Sequence, residues 1–440
     1  MNVMANRKPT LAKSTSHQTL MAQYELEKEL RRHKKNILPY FKKILAHGKK
    51  REIILTYNPG ILLYTPQEPK NIKSSKNILI IIHELSRTGA PTVAIEAAKT
   101  LSRKGYYVTV LAMRRGPLLN DLLDYGIPVV IDRQLVIISE NRTLAEDRGK
   151  HFYVDSFIIS HDCTIMVTAV YRNLINRYLN DNSPIIWWIH EGKESYKIFG
   201  KTMPREITNN IKVYTGGQYA QKQLKEHGFL YKPKILNYGV HDAFIETTDI
   251  DKPSSINFLF PASITERKGQ DVLLDAIDLL PRKYHQKASF IFIGDINSDA
   301  DLQGKIIKKR IIAAKNIHPN LIYKTSMSKE ELFEIYKQIQ VLVVPSIDDP
   351  MPVVATEAFM LKKVVLCSDS TGTSYYLKDG VNGYVFKSKN ARQLCDKIKT
   401  IIDNPHLDSI GKKGREIFEN NFSIETFEKH LINIIEANTK

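Results

Sequence analysis

The segment Pro345–Ser346–Ile347–Asp348–Asp349–Pro350–Met351–Pro352–Val353–Val354–Ala355–Thr356–Glu357–Ala358 concentrates residues that could do chemistry. An apolar run, Val341–Leu342–Val343–Val344, ends in Pro-Ser and two carboxylates, and the chain then turns through two prolines into a helix. Asp349 precedes that helix and Glu357 lies in its first turns, eight positions later. A helix N-terminus presents unpaired N–H groups and partial positive charge, which suits phosphate. Carboxylates suit sugar and ribose hydroxyls, so the combination fits a nucleotide-sugar pocket. The simpler alternative is a surface helix with a capping Asp and an ordinary Glu. Asp348–Asp349 beside proline reads as a turn rather than a metal site.

Three further loops carry candidate groups. Ala262–Ser263–Ile264–Thr265–Glu266–Arg267–Lys268–Gly269 places two adjacent cations between a strand and a helix. Cations there can neutralise a diphosphate, and positive charge at a helix start is unfavourable without an anion. A solvated Arg-Lys pair is the competing reading. The run Ile185–Ile189 ends in His190–Glu191–Gly192, with the histidine at a carboxyl strand end, where this class of fold keeps its ligands. His83–Glu84–Leu85–Ser86–Arg87–Thr88–Gly89–Ala90–Pro91 leads into a helix over Thr92–Leu101, with Gly89 allowing close backbone approach. A G-x-G-x-x-G fingerprint is missing from this loop, which disfavours an NAD-type enzyme.

These loops must be positioned by strands. From Asn77 onward apolar runs alternate with helical segments, the pattern of parallel α/β sheets. Expected strands are Ile78–Ile82, Tyr107–Met113, Val129–Asp132, Phe157–Ser160, Ile185–His190 and Val213–Thr215. A second series follows at Phe258–Pro261, Phe290–Gly294, Leu321–Tyr323, Val341–Pro345, Val364–Ser368 and Tyr384–Phe386. Most are continuous Val/Ile-rich runs, as befits strands covered on both faces. The expected domains are a basic extension over 1–74, disordered to about residue 20 and helical to about residue 50, and a Rossmann-like domain over 75–246. A linker over 247–255, a second Rossmann-like domain over 256–422, and a C-terminal helix over 423–440 packing back on the first domain complete the expectation.

Composition bounds the function. At 440 residues the chain accommodates two domains, and no apolar run approaches the length of a bilayer span. Met1–Thr19 is polar, without a signal-peptide core, and three cysteines without metal-type spacing read as reduced thiols in a cytoplasmic protein. Residues 1–74 hold 15 Lys/Arg against 5 Asp/Glu, so ten of the net +17 charges fall in a sixth of the chain. The basic amphipathic segment over residues 20–51 suits an anionic membrane surface, or else packs on the main body. Nucleic acid is a poor candidate partner, because the cluster is short and has little aromatic interleaving.

Asp349 and Glu357 resemble the E-x7-E motif of the retaining glycosyltransferases of family 4 (glycosyl transferases group 1), bacterial surface-glycan type, with Asp replacing the first Glu. Lys268 and Gly269 resemble the end of that family's G-R-x-KG loop, with Ser263 near its Arg position and Arg267 as the substitute cation. His190 resembles the strand-end histidine, and Gly89–Ala90 the glycine-rich first loop. Ile235–Leu236–Asn237–Tyr238–Gly239–Val240–His241–Asp242, Gly294–Asp295, Ser370–Ser374 and Asp379–Gly383 resemble further family turns, although the acid of the tail motif is missing.

The resemblance covers about residues 77–422. It implies an α/β GT-B fold, two Rossmann-like doubly wound domains facing a cleft with the 75–246 domain on the acceptor side, and metal-independent transfer of a hexose with retention. By the same carry-over His190 and Asp349 are catalytic-site residues, with Asp349 on donor-sugar hydroxyls. Glu357 binds the nucleotide ribose, and Arg267 and Lys268 bind the diphosphate. Ser263, Gly89 and the backbone around Met351, Pro352 and Val353 complete the donor site. No cofactor and no metal is expected. The expected partners are a nucleotide-sugar donor and a glycan or polyprenyl-linked acceptor, at the inner face of the cell membrane. Two other readings stay open: a GT-B nucleotide-sugar epimerase, and a catalytically silent GT-B partner subunit.

Overall fold

A computed structural model describes residues 51–55, 61–66, 76–147, 149–243, 255–296, 298 and 300–439. The expectations for residues 1–50 and for most of the linker therefore lie outside the described residues. The chain divides into two compact units, Met1–Ile186 with Ala437–Lys440, and Trp187–Glu436. The fifteen strands of the described residues form two sheets, nine strands in one and six in the other.

The first unit contains β1 (Arg51–Leu55), β2 (Ile61–Thr65), β3 (Asn77–Glu84), β4 (Tyr107–Arg114), β5 (Val129–Asp132) and β6 (Cys163–Val167). They run in the order β1-β2-β5-β4-β3-β6. β5, β4, β3 and β6 pair in parallel, while β2 is antiparallel to both β1 and β5. This antiparallel β1–β2 pair was not anticipated from the sequence.

One expected strand is a helix. Phe157–Ser160 ends the helix Tyr153–Ser160, and the strand lies one step later at Cys163–Val167. Val154, Phe157 and Ile158 are buried while Ile159 is exposed, which is helical rather than alternating spacing. Asp155 also accepts a hydrogen bond from the Phe152 N–H at 2.8 Å, fixing the helix start. The remaining expected strands appear within a few residues of their expected bounds.

The second unit opens with β7 (Ile185–Ile189), whose first two residues belong to the other unit, β8 (Ile211–Thr215) and β9 (Lys234–Ile235). It then builds the six-stranded parallel sheet from β10 (Ile256–Pro261), β11 (Ala288–Ile293), β12 (Leu321–Lys324), β13 (Val341–Val344), β14 (Val364–Ser368) and β15 (Tyr384–Phe386). Alternate residues feed two cores. Phe258, Phe260, Phe290 and Phe292 point to one, with Phe258 and Phe290 stacked at 5.2 Å. Leu259, Leu342, Val344 and Val365 point to the other, against Phe359, Phe418 and Phe422. Period-2 burial on both faces is the physical content of a doubly wound sheet. The last helix, Ile424–Asn438, buries Phe427, Leu431 and Ile435 as one stripe.

Strand order β12-β11-β10-β13-β14-β15 puts a topological switch between β10 and β13. Ligands of open α/β sheets bind outside the carboxyl ends of the strands at such a point. The Arg267–Lys268 loop follows β10, and the Asp348–Asp349 loop follows β13.

Candidate functional site

The two loops at the switch point are latched together. Gly269 has φ of +76°, and a Cβ there would stand 2.2 Å from the Pro345 carbonyl oxygen. That conformation and that contact both exclude a side chain. The Ile347 N–H donates to the Arg267 carbonyl at 2.9 Å, and Arg267 Nη1 donates to the Asp348 carbonyl at 2.6 Å. Lys268 Nζ meets Asp349 Oδ2 at 2.6 Å, with side-chain exposures of 19% and 8%. Arg267 Nη1 lies 3.9 Å from the same oxygen, on a side chain that is 44% exposed. Two cations and one carboxylate thus share a point at the carboxyl end of β10 and β13, leaving positive charge in excess for an anion.

The neighbouring carboxylate has a different task. Asp348 is buried, and its oxygens accept from the backbone N–H of Lys193 (3.1 Å) and Glu194 (3.0 Å) and from Tyr219 Oη (2.8 Å). It caps the helix Lys193–Phe199 from 155 residues away, because Gly192 supplies no side-chain cap. A Cβ on Gly192 would stand 2.2 Å from Asp348 Oδ1. Gly192→Ala and Asp348→Ala are each expected to lower stability by about 2–3 kcal/mol, measured by denaturant unfolding. Unchanged midpoints would remove this contact from the account.

Asp349 is held by its backbone. Its N–H donates to the Ser370 carbonyl (3.2 Å), and its carbonyl accepts from the Gly372 N–H (2.9 Å). A Cβ on Gly372 would meet the Pro350 carbonyl at 1.7 Å, so the Ser370–Thr373 turn closes directly on Pro350–Met351. The tail motif therefore contributes a glycine contact where its acid is missing. Met351 Sδ is 4.0 Å from Thr373 Oγ1. Pro352 caps the helix Val353–Met360 without a side-chain hydrogen bond, and no acid lies in the first turn, so nothing anionic from the chain's own cap competes there.

Glu357 sits in the second turn of this helix with 12% of its side chain exposed, 3.6 Å from Lys329 Nζ. Burial raises its pKa above the usual carboxylate range, and Lys329 opposes that rise. Tyr336 Oη donates to the Val354 carbonyl at 3.1 Å and is 3.5 Å from Glu357 Oε2, the latter at the limit of a hydrogen bond. A half-satisfied, poorly solvated carboxylate is a ready acceptor for a diol.

His190 follows β7 with its ring 4.6 Å from the Trp188 ring and its Nε2 buried without a partner among the described residues. A Cβ on Gly216 would reach 2.6 Å from His190 Nδ1, so the glycine after β8 makes room for the imidazole. Part of the residue keeps contact with solvent, but the ring is buried and burial depresses its pKa to about 3. The imidazole is therefore neutral at physiological pH. A depressed histidine pKa means that the unfolded chain holds the extra proton between about pH 6.5 and 3. Stability is therefore lost as pH falls through that window. His190→Gln is expected to flatten this loss, read from unfolding free energies at pH 4 to 7; an unaltered slope would contradict the burial argument.

Ser263 is half-buried and its carbonyl accepts from Gln270 Nε2 at 2.9 Å, so its backbone braces the loop. Gly89 lies in the first unit, where it opens the helix Gly89–Arg103. A Cβ there meets nothing within 4 Å, so no atom of the described chain demands the close approach expected for it. The residues that sequence reasoning passed over are Asp348 as a cap, Gly192, Gly216, Tyr219, Lys329 and Tyr336. Only Gly216–Gly217, a glycine pair at a strand end, left a readable signal.

Residues 74–249 match the family model for Glycosyl-transferase family 4, and residues 247–417 match that for Glycosyl transferases group 1. An uncharacterized glycosyltransferase of Methanocaldococcus jannaschii is 29% identical over 224 residues, covering 50% of this chain and 57% of the relative. The chain thus spans little more than half the length of that relative. The lipopolysaccharide 1,2-N-acetylglucosaminetransferase of Salmonella typhimurium is 22% identical over 295 residues, 63% of this chain and 73% of its own. Among solved structures, Anabaena HepE in complex with UDP and glucose superposes with a TM-score of 0.64 at 15% identity, over 82% of this chain and 99% of that one. Sucrose-phosphate synthase from Thermosynechococcus elongatus gives a TM-score of 0.67 at 15% identity, over 82% and 98%.

Proposed function

We propose that the chain, whose residues 74–249 and 247–417 match Glycosyl-transferase family 4 and Glycosyl transferases group 1, is a GT-B glycosyltransferase that transfers a sugar from a nucleotide-sugar donor to a glycan or lipid-linked acceptor, with retention and without a metal ion, in surface-glycan or glycoconjugate biosynthesis. The observation that carries this reading is the Lys268–Asp349 pair, with Arg267 beside it, at the β10/β13 switch point next to the open start of the helix Val353–Met360. Glu357 in that helix receives the ribose hydroxyls, and the helix N-terminus with Lys268 and Arg267 receives the diphosphate. Asp349 orients donor-sugar hydroxyls, held in place by Lys268. Relatives that act on lipopolysaccharide and on poly(ribitol-phosphate) support the choice of acceptor class. HepE, which binds UDP-glucose, supports the donor class.

In the reaction the bond from the anomeric carbon to the β-phosphate oxygen breaks, and a bond to the acceptor oxygen forms on the same face. The acceptor proton passes to the departing diphosphate. Lys268 and Arg267 stabilise the charge that develops on that diphosphate, more strongly than they bind the intact donor. His190, neutral at working pH, hydrogen-bonds near the reacting centre without taking the proton.

The test is proton NMR of the first product formed from nucleotide sugars and polyprenyl-linked or glycan acceptors in the presence of EDTA. The expected product keeps the donor's anomeric configuration. An inverted product, or transfer only after a divalent ion is restored, would overturn the mechanism.

A further inference from the structure

The helix Leu302–Ile317 is apolar on two faces. Ile307, Ile311 and Ala314 enter the core of the second sheet. The opposite side leaves Leu302 71%, Ile306 59%, Ile312 46% and Ile317 70% exposed. Residues 302, 306, 313 and 317 share one line along a 3.6-residue helix, so most of these side chains form a stripe rather than scattered exceptions. An outward face of a surface helix is ordinarily polar.

The charges on this helix are just as uneven. Leu302–Ile317 contains five cations and no acid. Two of the cations are neutralised sideways: Lys308 pairs with Asp295 at 2.7 Å, and Arg310 pairs with Asp271 at 3.5 Å and Asp278 at 3.8 Å, as well as with Asp275. The other three, Lys305, Lys309 and Lys315, are exposed and have no ion-pair partner among the described residues. Lys305 and Lys309 flank the aliphatic stripe within a turn of Ile306.

We infer that this helix docks the second unit on an anionic phospholipid bilayer, lying in the interface plane with the aliphatic stripe in the acyl boundary and the lysines among the headgroups. An aliphatic stripe edged by uncompensated lysines is the chemistry of an interfacial helix. Among the described residues no helix is long and apolar enough to cross a membrane. A second copy of the chain suits the patch poorly, because a two-fold contact centred here would bring the same lysines together. Nucleic acid would engage the lysines and leave the isoleucines in water. The inference stands apart from the donor site and uses none of its residues.

The experiment is co-sedimentation of the full chain with extruded vesicles of phosphatidylcholine, alone or mixed with phosphatidylglycerol. Each lysine at such a surface is worth about fivefold in partition. The double variant Lys305→Glu/Lys309→Glu is therefore expected to lose at least about tenfold for the mixed vesicles. Ile306→Asp/Ile317→Asp is expected to lose a similar factor, and both pairs are exposed, so thermal melting should stay unchanged. In Ile306→Trp, tryptophan emission should shift to the blue with mixed vesicles and not with neutral ones. The charge-removed N-terminal variant Arg31→Ala/Arg32→Ala/Lys34→Ala/Lys35→Ala, carrying the native helix, should keep the part of the binding that the helix variants lose. Wild-type partition by both helix variants would overturn the inference, as would equal binding to neutral and mixed vesicles. A dimer that Ile306→Asp/Ile317→Asp dissociates without altering vesicle partition would assign the stripe to a chain–chain contact instead.

Discussion

Lys268→Ala is expected to lower transfer about 100- to 1000-fold, the scale on which one well-placed group that stabilises developing charge contributes. The loss should fall mainly on kcat, because the diphosphate carries more charge as it leaves than it does in the donor. Binding should change in a diagnostic way. The wild type should hold nucleoside diphosphate well above monophosphate, and the variant should lose most of that preference. Lys268 also compensates Asp349, whose side chain is nearly buried, so the variant should lose about 2–4 kcal/mol of stability. The double variant Lys268→Ala/Asp349→Asn separates the two effects. It removes the unpaired carboxylate and should recover stability, while transfer stays low. Recovery of transfer alongside stability would reduce Lys268 to a structural partner of Asp349.

Glu357→Gln is expected to move stability and binding in opposite directions. The Glu357 pKa is raised by burial, so the folded state holds a proton that the unfolded chain releases at lower pH. Stability therefore falls as pH rises through the window above the ordinary carboxylate value, and the charged form is a net liability at neutral pH. An amide removes that liability, and Lys329, whose side chain is 74% exposed, loses a partner at small cost. The melting temperature of the free protein should rise. Nucleotide affinity should fall about 10- to 100-fold, since hydrogen bonds to a charged acceptor are worth about 1.5–3 kcal/mol. The wild type should prefer ribonucleotides over 2′-deoxyribonucleotides, and Glu357→Gln should not. Equal affinity of the two proteins would take Glu357 out of the ribose site.

Much of the frame was legible because it is local. Val341–Val344 and Val364–Ser368 announce buried strands by continuous β-branched composition, and both form where expected. Phe157–Ser160 shows the limit of that signal, since a four-residue apolar run does not distinguish a strand from the last turn of a helix. In that case the capping acid Asp155 was the deciding residue. The β1–β2 pair was not read because its strands lie in the stretch assigned to the basic extension.

In the site, residue types on one loop were readable, but relations between loops were not. Asp349, Glu357, Lys268 and His190 stand out by type and position, whereas the Lys268–Asp349 pair spans 81 residues and the Asp348 cap spans 155. Asp348 and Asp349 are neighbours with opposite assignments, one capping a distant helix and one facing a lysine. Nothing in the dipeptide distinguishes them. The neutrality of His190 likewise depends on Trp188 and Gly216, residues that meet it only in the fold.

The central claim, that Lys268 and Glu357 jointly hold a nucleoside diphosphate at the β10/β13 switch point, is tested most directly by isothermal titration of UDP, GDP and dTDP in EDTA. The wild type is expected to bind at least one of them without metal and to bind the matching monophosphate more weakly. Lys268→Ala is expected to erase the diphosphate preference, and Glu357→Gln to weaken both phosphate forms alike. Binding that is unchanged in both variants, or found only when a divalent ion is added, would contradict the account.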